Sequence, residues 1–253
     1  MSTVSVSAPA RVSSSSVAPS EAPLQSLLDD IVADITALYG GTIGIAVAGA
    51  NGVTMAGFDA PSPAWSTIKV PIAIAALRAN PGLYADAQAA LTVSDNDAAA
   101  RLYDAVGPDA VNQVLAEMGA GAQVNTVLTR PGFSTFGQTM LTTGQEAVMA
   151  GQLACVPGAA DVLALMRQVD ASQAYGLGTT GDAAYKGGWG PDEAGMYTTR
   201  QFGLMPRGDG TVAAVAITSL PADGSYGTGQ GMLNAAAMAL QEQAGLLPQA
   251  VCS

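Results

Sequence analysis

Histidine is missing altogether, and lysine occurs only twice, as Lys69 and Lys186. Without an imidazole there can be no Ser-His-Asp triad, no Cys-His dyad and no His-ligated metal site. Proton transfer in such a chain falls to Lys, Glu, Asp or Tyr. Cysteine is almost as scarce. Cys155 and Cys252 lack the short spacing of a metal or redox pair. In an oxidising compartment they could form one disulfide, and otherwise they are two unrelated buried thiols. Basic residues number 9 against 20 acids, a net charge of −11. That balance excludes the clustered Lys and Arg needed to bind nucleic acid. No apolar run reaches the ~18 residues that span a bilayer. What the 253-residue chain does have is 49% hydrophobic residues and only 11% charge. It can bury a substantial core and is not globally disordered.

Residues 1–20 hold eight serines and one charge, Arg11, and read as a flexible Ser/Ala/Pro tail. They contain no apolar signal-peptide core. The chain is therefore read as the mature part of a secreted protein, the alternative being a native start with a flexible tail. Leu24, Leu27, Leu28, Ile31, Ile35 and Leu38 recur at helical spacing, with Ser20 as N-cap and Gly40 as stop. Two apolar runs flank Asn51-Gly52, a strong hairpin signal. Residues 66–79 read as a buried helix with Pro71 in its first turns. From about 85 to 175 the Ala/Leu/Met-rich chain reads as mostly helix. Strands are expected at Tyr197–Met205 and Val212–Ser219, and a closing helix at Ala235–Leu247.

Three short motifs carry chemistry. Ser66-Thr67-Ile68-Lys69 opens the buried helix. Residues three apart share a helix face, so Ser66 Oγ and Lys69 Nζ can meet. A lysine pressed among apolar neighbours loses proton affinity and can serve as a base. Seven arginines serve elsewhere, so two lysines suggest places where a compact, deprotonatable ammonium is needed. Ser94-Asp95-Asn96, read alone, is a helix cap. Lys186-Gly187-Gly188, read alone, is a turn before a strand.

Together and in this order, the three motifs resemble the Ser-x-x-Lys, Ser-Asp-Asn and Lys-Thr-Gly signatures of class A β-lactamases and penicillin-binding proteins. The resemblance covers roughly residues 24–247. It implies an α+β, β-lactamase/transpeptidase-like fold: an antiparallel sheet flanked by terminal helices, with an inserted helical lobe. Residues 21–65 and 186–253 would form the α/β lobe, and 66–185 the helical lobe. Ser66 would attack the carbonyl of a β-lactam or D-alanyl peptide, with Lys69 taking its proton and Ser94 relaying one to the leaving nitrogen. Asn96 would hold the substrate's amide, while Lys186, Gly188 and Arg200 would serve the side that binds its carboxylate. The backbone N–H groups of Ser66 and Trp189 would form the oxyanion hole. No cofactor or metal, a monomer and a secreted or cell-envelope location are implied. The alternatives are a D,D-peptidase or esterase with a lysine base, and a non-catalytic cell-envelope binding protein.

Three departures stand out. Gly187 replaces the family's Thr or Ser beside the motif lysine. The interval from Ser66 to Ser94 is short. No carboxylate lies between Glu117 and Glu146, where class A enzymes carry the glutamate that activates the deacylating water.

Overall fold

The computed structural model describes residues 22–252. The expected flexible tail and the Ser20 cap lie outside the described residues. Helix α1 spans Ala22–Tyr39 and buries Leu24, Leu28, Ile31 and Ile35, one stripe at i, i+4, i+7 and i+11. Strands β1 (Thr42–Gly49) and β2 (Gly52–Gly57) form the expected hairpin, with Gly49 opposite Gly52. The two-residue strand β3 (Ser62–Pro63) leads into a 3₁₀ turn at Trp65–Ile68 and then α2 (Lys69–Ala79). Helices α3 (Tyr84–Thr92) and α4 (Asn96–Glu117) follow, α4 being broken at Gly107 ahead of Pro108. Strand β4 (Met140–Leu141) pairs with β3. Helices α5 (Thr143–Gln152) and α6 (Ala160–Met166) precede strands β5 (Ala184–Pro191), β6 (Tyr197–Pro206) and β7 (Val212–Leu220), and helix α7 (Tyr226–Glu242) comes last.

The main sheet is antiparallel with order β2-β1-β7-β6-β5, so strands from both ends of the chain meet at β1 and β7. Both faces are covered. Successive side chains alternate between faces. Ala46, Ala184, Phe202 and Ala216 enter a core with α2 through α6. Ile43, Ile45, Val47, Val215 and Ile217 enter a second core with α1 and α7. Strand β5 is one of the sheet's two edges, the other being β2, and the β5 edge faces the 3₁₀ turn carrying Ser66. Among the described residues no helix is long and apolar enough to cross a membrane.

Three expectations need correcting. The closing helix starts at Tyr226, not Ala235, capped by the Ser225 hydroxyl, which accepts from the Thr228 N–H at 3.1 Å. Its early glycines look like a break in the sequence, but Gly229 is there for contact. A Cβ at this position would stand 2.6 Å from Thr199 Oγ1, so glycine lets α7 lie directly on the sheet. Residues 119–135 are not helical. Lys186-Gly187-Gly188 lies inside β5 rather than in a turn before it.

Cys155 and Cys252 are joined in a disulfide with Cα atoms 5.6 Å apart. It ties the end of the chain to the segment after α5. Closing a loop of 97 residues is worth about 4.7 kcal/mol in the chain-entropy model.

Candidate active site

Ser66 is half-exposed at the start of a turn whose next three residues, Thr67, Ile68 and Lys69, are buried. The helix expected over 66–79 is 3₁₀ at first and becomes α only from Lys69. Trp65, immediately before Ser66, has φ of 52°. A bulky aromatic in the left-handed region stores about 1–3 kcal/mol and must be held there by its surroundings.

The only other non-glycine residue with positive φ among those described is Ser94, at 59°. It precedes α4, whose N-cap is Asp95; the carboxylate accepts from the Ala98 N–H at 2.7 Å. This strained turn gathers both lysines. Lys69 Nζ donates to Ser94 O at 2.7 Å, to Asn96 Oδ1 at 2.8 Å and to Ser94 Oγ at 3.3 Å. Lys186 Nζ donates to Ser94 Oγ at 3.0 Å and to the Gly187 carbonyl at 2.8 Å. Among the described residues Ser66 Oγ is not a partner of Lys69. The expected Ser66–Lys69 contact is thus absent from this state, because three acceptors already satisfy an ammonium's three protons. To act as a base, Lys69 must give up one of them, and the 3.3 Å contact is the longest.

Burial lowers Lys69 from its ordinary 10.5 to about 8, opposed by the Asp95 carboxylate. Lys186 is pushed well below the ordinary lysine value, chiefly by burial and then by Lys69. Two ammonium groups sharing one hydroxyl repel each other, so each favours the other's neutral form.

Strand β5 closes the other side. A Cβ at Gly188 would stand 2.9 Å from the Ser66 N and 3.0 Å from the Thr67 N. Glycine alone allows the strand to approach the Ser66 turn this closely, which makes Gly188 a spacer for the backbone rather than a side chain for a ligand. At Gly187 the missing Cβ would stand 3.2 Å from Tyr175 Oη. The tyrosine hydroxyl thus crowds the place where the family's Thr or Ser would be. Trp189 points away from the turn and stacks on Tyr226, centroids 5.2 Å apart.

Arg200 is a correction. It was expected near a substrate carboxylate, but it is fully buried. It sits opposite Gly188 in the β5–β6 register, on the face that meets the Ser66 turn, but beneath that turn. Its Nε and Nη2 both lie 2.9 Å from Glu146 Oε2. Its other donors reach the carbonyls of Ser62, Pro63 and Leu141. Glu146, on α5, is fully buried as well, and its Oε1 accepts from Thr67 Oγ1 at 2.6 Å. Burial pushes its carboxyl above the usual range, with Arg200 and Thr67 pulling it back. Neither Thr67 nor Glu146 stood out in the sequence, since their partnership spans 79 positions.

The loop from 119 to 139 covers the turn. Ala64 N–H donates to Thr139 O at 2.7 Å, and Phe133 and Arg130 pack on the Trp65 ring at 5.2 and 5.8 Å. Its one long amide near the end, Gln138, is spent inside the loop: Oε1 accepts from Thr129 Oγ1 and from Arg130 N, while Nε2 donates to Arg130 O. No cluster of three His, Cys, Asp or Glu among the described residues could hold a metal.

A family model described as the β-lactamase enzyme family matches residues 86–228, more than half of the chain. The chain belongs to that family. The matched span includes Ser94–Asn96 and Lys186–Trp189 and begins after Ser66. Solved structures of similar fold include a β-lactamase from Sphaerobacter thermophilus, 20% identical, with a TM-score of 0.68 over 88% of this chain and 98% of that one. A class A β-lactamase from Mycobacterium abscessus is 16% identical, with a TM-score of 0.69 over 86% and 99%. A β-lactamase from Xanthomonas campestris is 18% identical, with a TM-score of 0.67 over 87% and 98%. At these identities the likeness establishes the fold. No curated protein sequence matches the chain.

Proposed function

We propose that this protein is a penicillin-recognising serine hydrolase, acylated at Ser66 and slow to release the acyl group. The observation that carries this reading is the convergence of Lys69 and Lys186, the chain's only lysines, on Ser94 beside the nucleophile turn. Lys69, as free base, removes the Ser66 proton while Oγ attacks the lactam carbonyl. The N–H groups of Ser66 and Trp189 receive the developing oxyanion. The C–N bond then breaks, and the proton passes from Lys69 through Ser94 Oγ to the departing nitrogen. Asn96 stands where it can hold the substrate amide once Lys69 releases its oxygen. A substrate carboxylate beside Lys186 favours its charged form and is held by it.

Release of the acyl group needs an activated water. The loop between Glu117 and Glu146 has no carboxylate. Glu146 itself is locked behind the turn by Arg200 and Thr67. Loss of a general base lowers a rate by about 10²–10⁴, so the adduct accumulates. This favours a penicillin-binding role over efficient β-lactam turnover. The disulfide fits a secreted or cell-envelope setting, and the protein is read as a monomer acting on a small molecule.

The test is intact mass after incubation with penicillin, followed by peptide mapping. The whole mass of the drug is expected on the peptide containing Ser66, persisting after free drug is removed. No adduct at millimolar drug, or an adduct elsewhere, rejects the reading. Rapid return to the parent mass with steady drug consumption shows that another group activates water.

A further inference from the structure

We propose that the buried Glu146–Arg200 pair is a positioning device for the nucleophile turn, acting through Thr67. The inference rests on the reading of Ser66 as nucleophile, but it starts from a separate observation. The strained residue Trp65 lies between two anchor points, and both belong to this one ion pair. Before it, Arg200 Nη1 donates to Ser62 O at 3.0 Å and to Pro63 O at 3.1 Å. After it, Glu146 Oε1 takes the Thr67 hydroxyl at 2.6 Å. The two carboxylate oxygens are divided, Oε2 for the arginine and Oε1 for the turn.

Thr67 Oγ1 also lies 2.7 Å from Ala64 O. Its single proton goes to the carboxylate, since charge-assisted bonds are the stronger. Ala64 O already accepts the Thr67 N–H at 3.1 Å. A buried ion pair is weak evidence of stability, because well-packed apolar groups often do as well. This pair has a geometric task that apolar groups lack. It fixes both flanks of a turn whose middle residue resists its own conformation. Ser66 and the amides of the oxyanion site sit inside that bracket. The pair touches no substrate and shares no partner with Lys69, so it should govern how well Ser66 is aimed without changing how Lys69 titrates.

Thr67→Val removes the hydroxyl and keeps the shape. Misplacement on the scale of 1 Å can cost about 10²-fold. The limiting acylation rate constant should fall about 10- to 100-fold, with the half-saturating penicillin concentration unchanged. The pH midpoint of acylation should stay at the value set by Lys69, and Thr67→Ser should restore most of the rate. Hydrogen exchange at the amides of residues 64–68 gives a second reading that does not need penicillin. It should quicken in Thr67→Val and not in Thr67→Ser. Thr67→Ala serves if the valine variant does not fold. The proposal falls if a folded hydroxyl-free variant acylates like the parent, if only the half-saturating concentration moves, if serine rescues nothing, or if exchange is unchanged. A parent protein that is never acylated at Ser66 defeats the functional reading instead, and exchange alone then decides whether the bracket holds the turn.

Discussion

Lys69→Arg should slow acylation by penicillin about 10²–10⁴-fold, equivalent to roughly 2.7–5.5 kcal/mol of barrier. Arginine keeps the charge and the reach toward Ser94 and Asn96 but cannot lose its proton, its pKa lying above ~12. In the parent, burial brings Lys69 to about 8. Roughly one molecule in ten then carries the free base at pH 7, one pKa unit below. The neutral form is the reactive one, so the acylation rate should rise as pH increases and level off above about 8. The same shift bears on stability. Between about 8 and 10.5 the unfolded chain holds a proton that folded Lys69 has lost. This group's contribution to stability therefore rises with pH across that window and is least favourable below it. Lys186→Arg keeps a charge where a carboxylate is to be met and should do less harm. Second-order acylation rates for both variants, with circular dichroism to confirm folding, decide the division. If Lys69→Arg acylates like the parent, Lys69 is not the base. If Lys186→Arg is the more damaged, proton transfer runs through Lys186 and Ser94.

Glu146→Ala should destabilise the protein by about 3–5 kcal/mol, because it strands the guanidinium of Arg200 in the interior. Both side chains are fully buried, so solvent cannot take the carboxylate's place. For a domain of this size that is a fall in Tm of about 6–20 °C. The double variant Glu146→Leu with Arg200→Met should recover much of the loss, since no isolated charge remains. Calorimetry on the three proteins measures this directly. A single variant that loses less than about 1 kcal/mol would mean that the pair contributes no more than an exposed one.

The parts of the molecule that were legible in the sequence are those set by local rules. The α1 stripe, the Asn51-Gly52 hairpin and the Asp95 cap each depend on residues a few positions apart. The lysine motifs were legible because scarcity made them conspicuous. What failed was governed by register and distant contact. Gly227, Gly229 and Gly231 suggest a break, yet α7 runs through them because the sheet lies against Gly229. Arg200 looks like a site residue until its burial shows where its donors go, to Glu146 and to the carbonyls of Ser62 and Pro63. Glu146 gives no local signal at all, because its meaning comes from Arg200, 54 positions on. The segment at 119–135 lies inside a stretch that is Ala/Leu/Met-rich as a whole, but its own Gly119, Gly121 and Gly132 take positive φ, Pro131 has no N–H to donate, and Asn125 binds local carbonyls instead, so the helix does not form.

The two lysines that meet at Ser94 are buried and close together, while the whole chain carries a net charge of −11. An anionic substrate approaching from solution therefore meets two fields of opposite sign. Beyond about a Debye length, ~8–10 Å at physiological salt, it feels the acidic surface, and only inside that distance does it feel the cations. Mobile ions erase the first field more readily than the second. Diffusional encounter with a carboxylate-bearing molecule should quicken as salt is added at low ionic strength, the reverse of the usual behaviour of a charged cleft, and a zwitterionic substrate of the same size should be nearly indifferent.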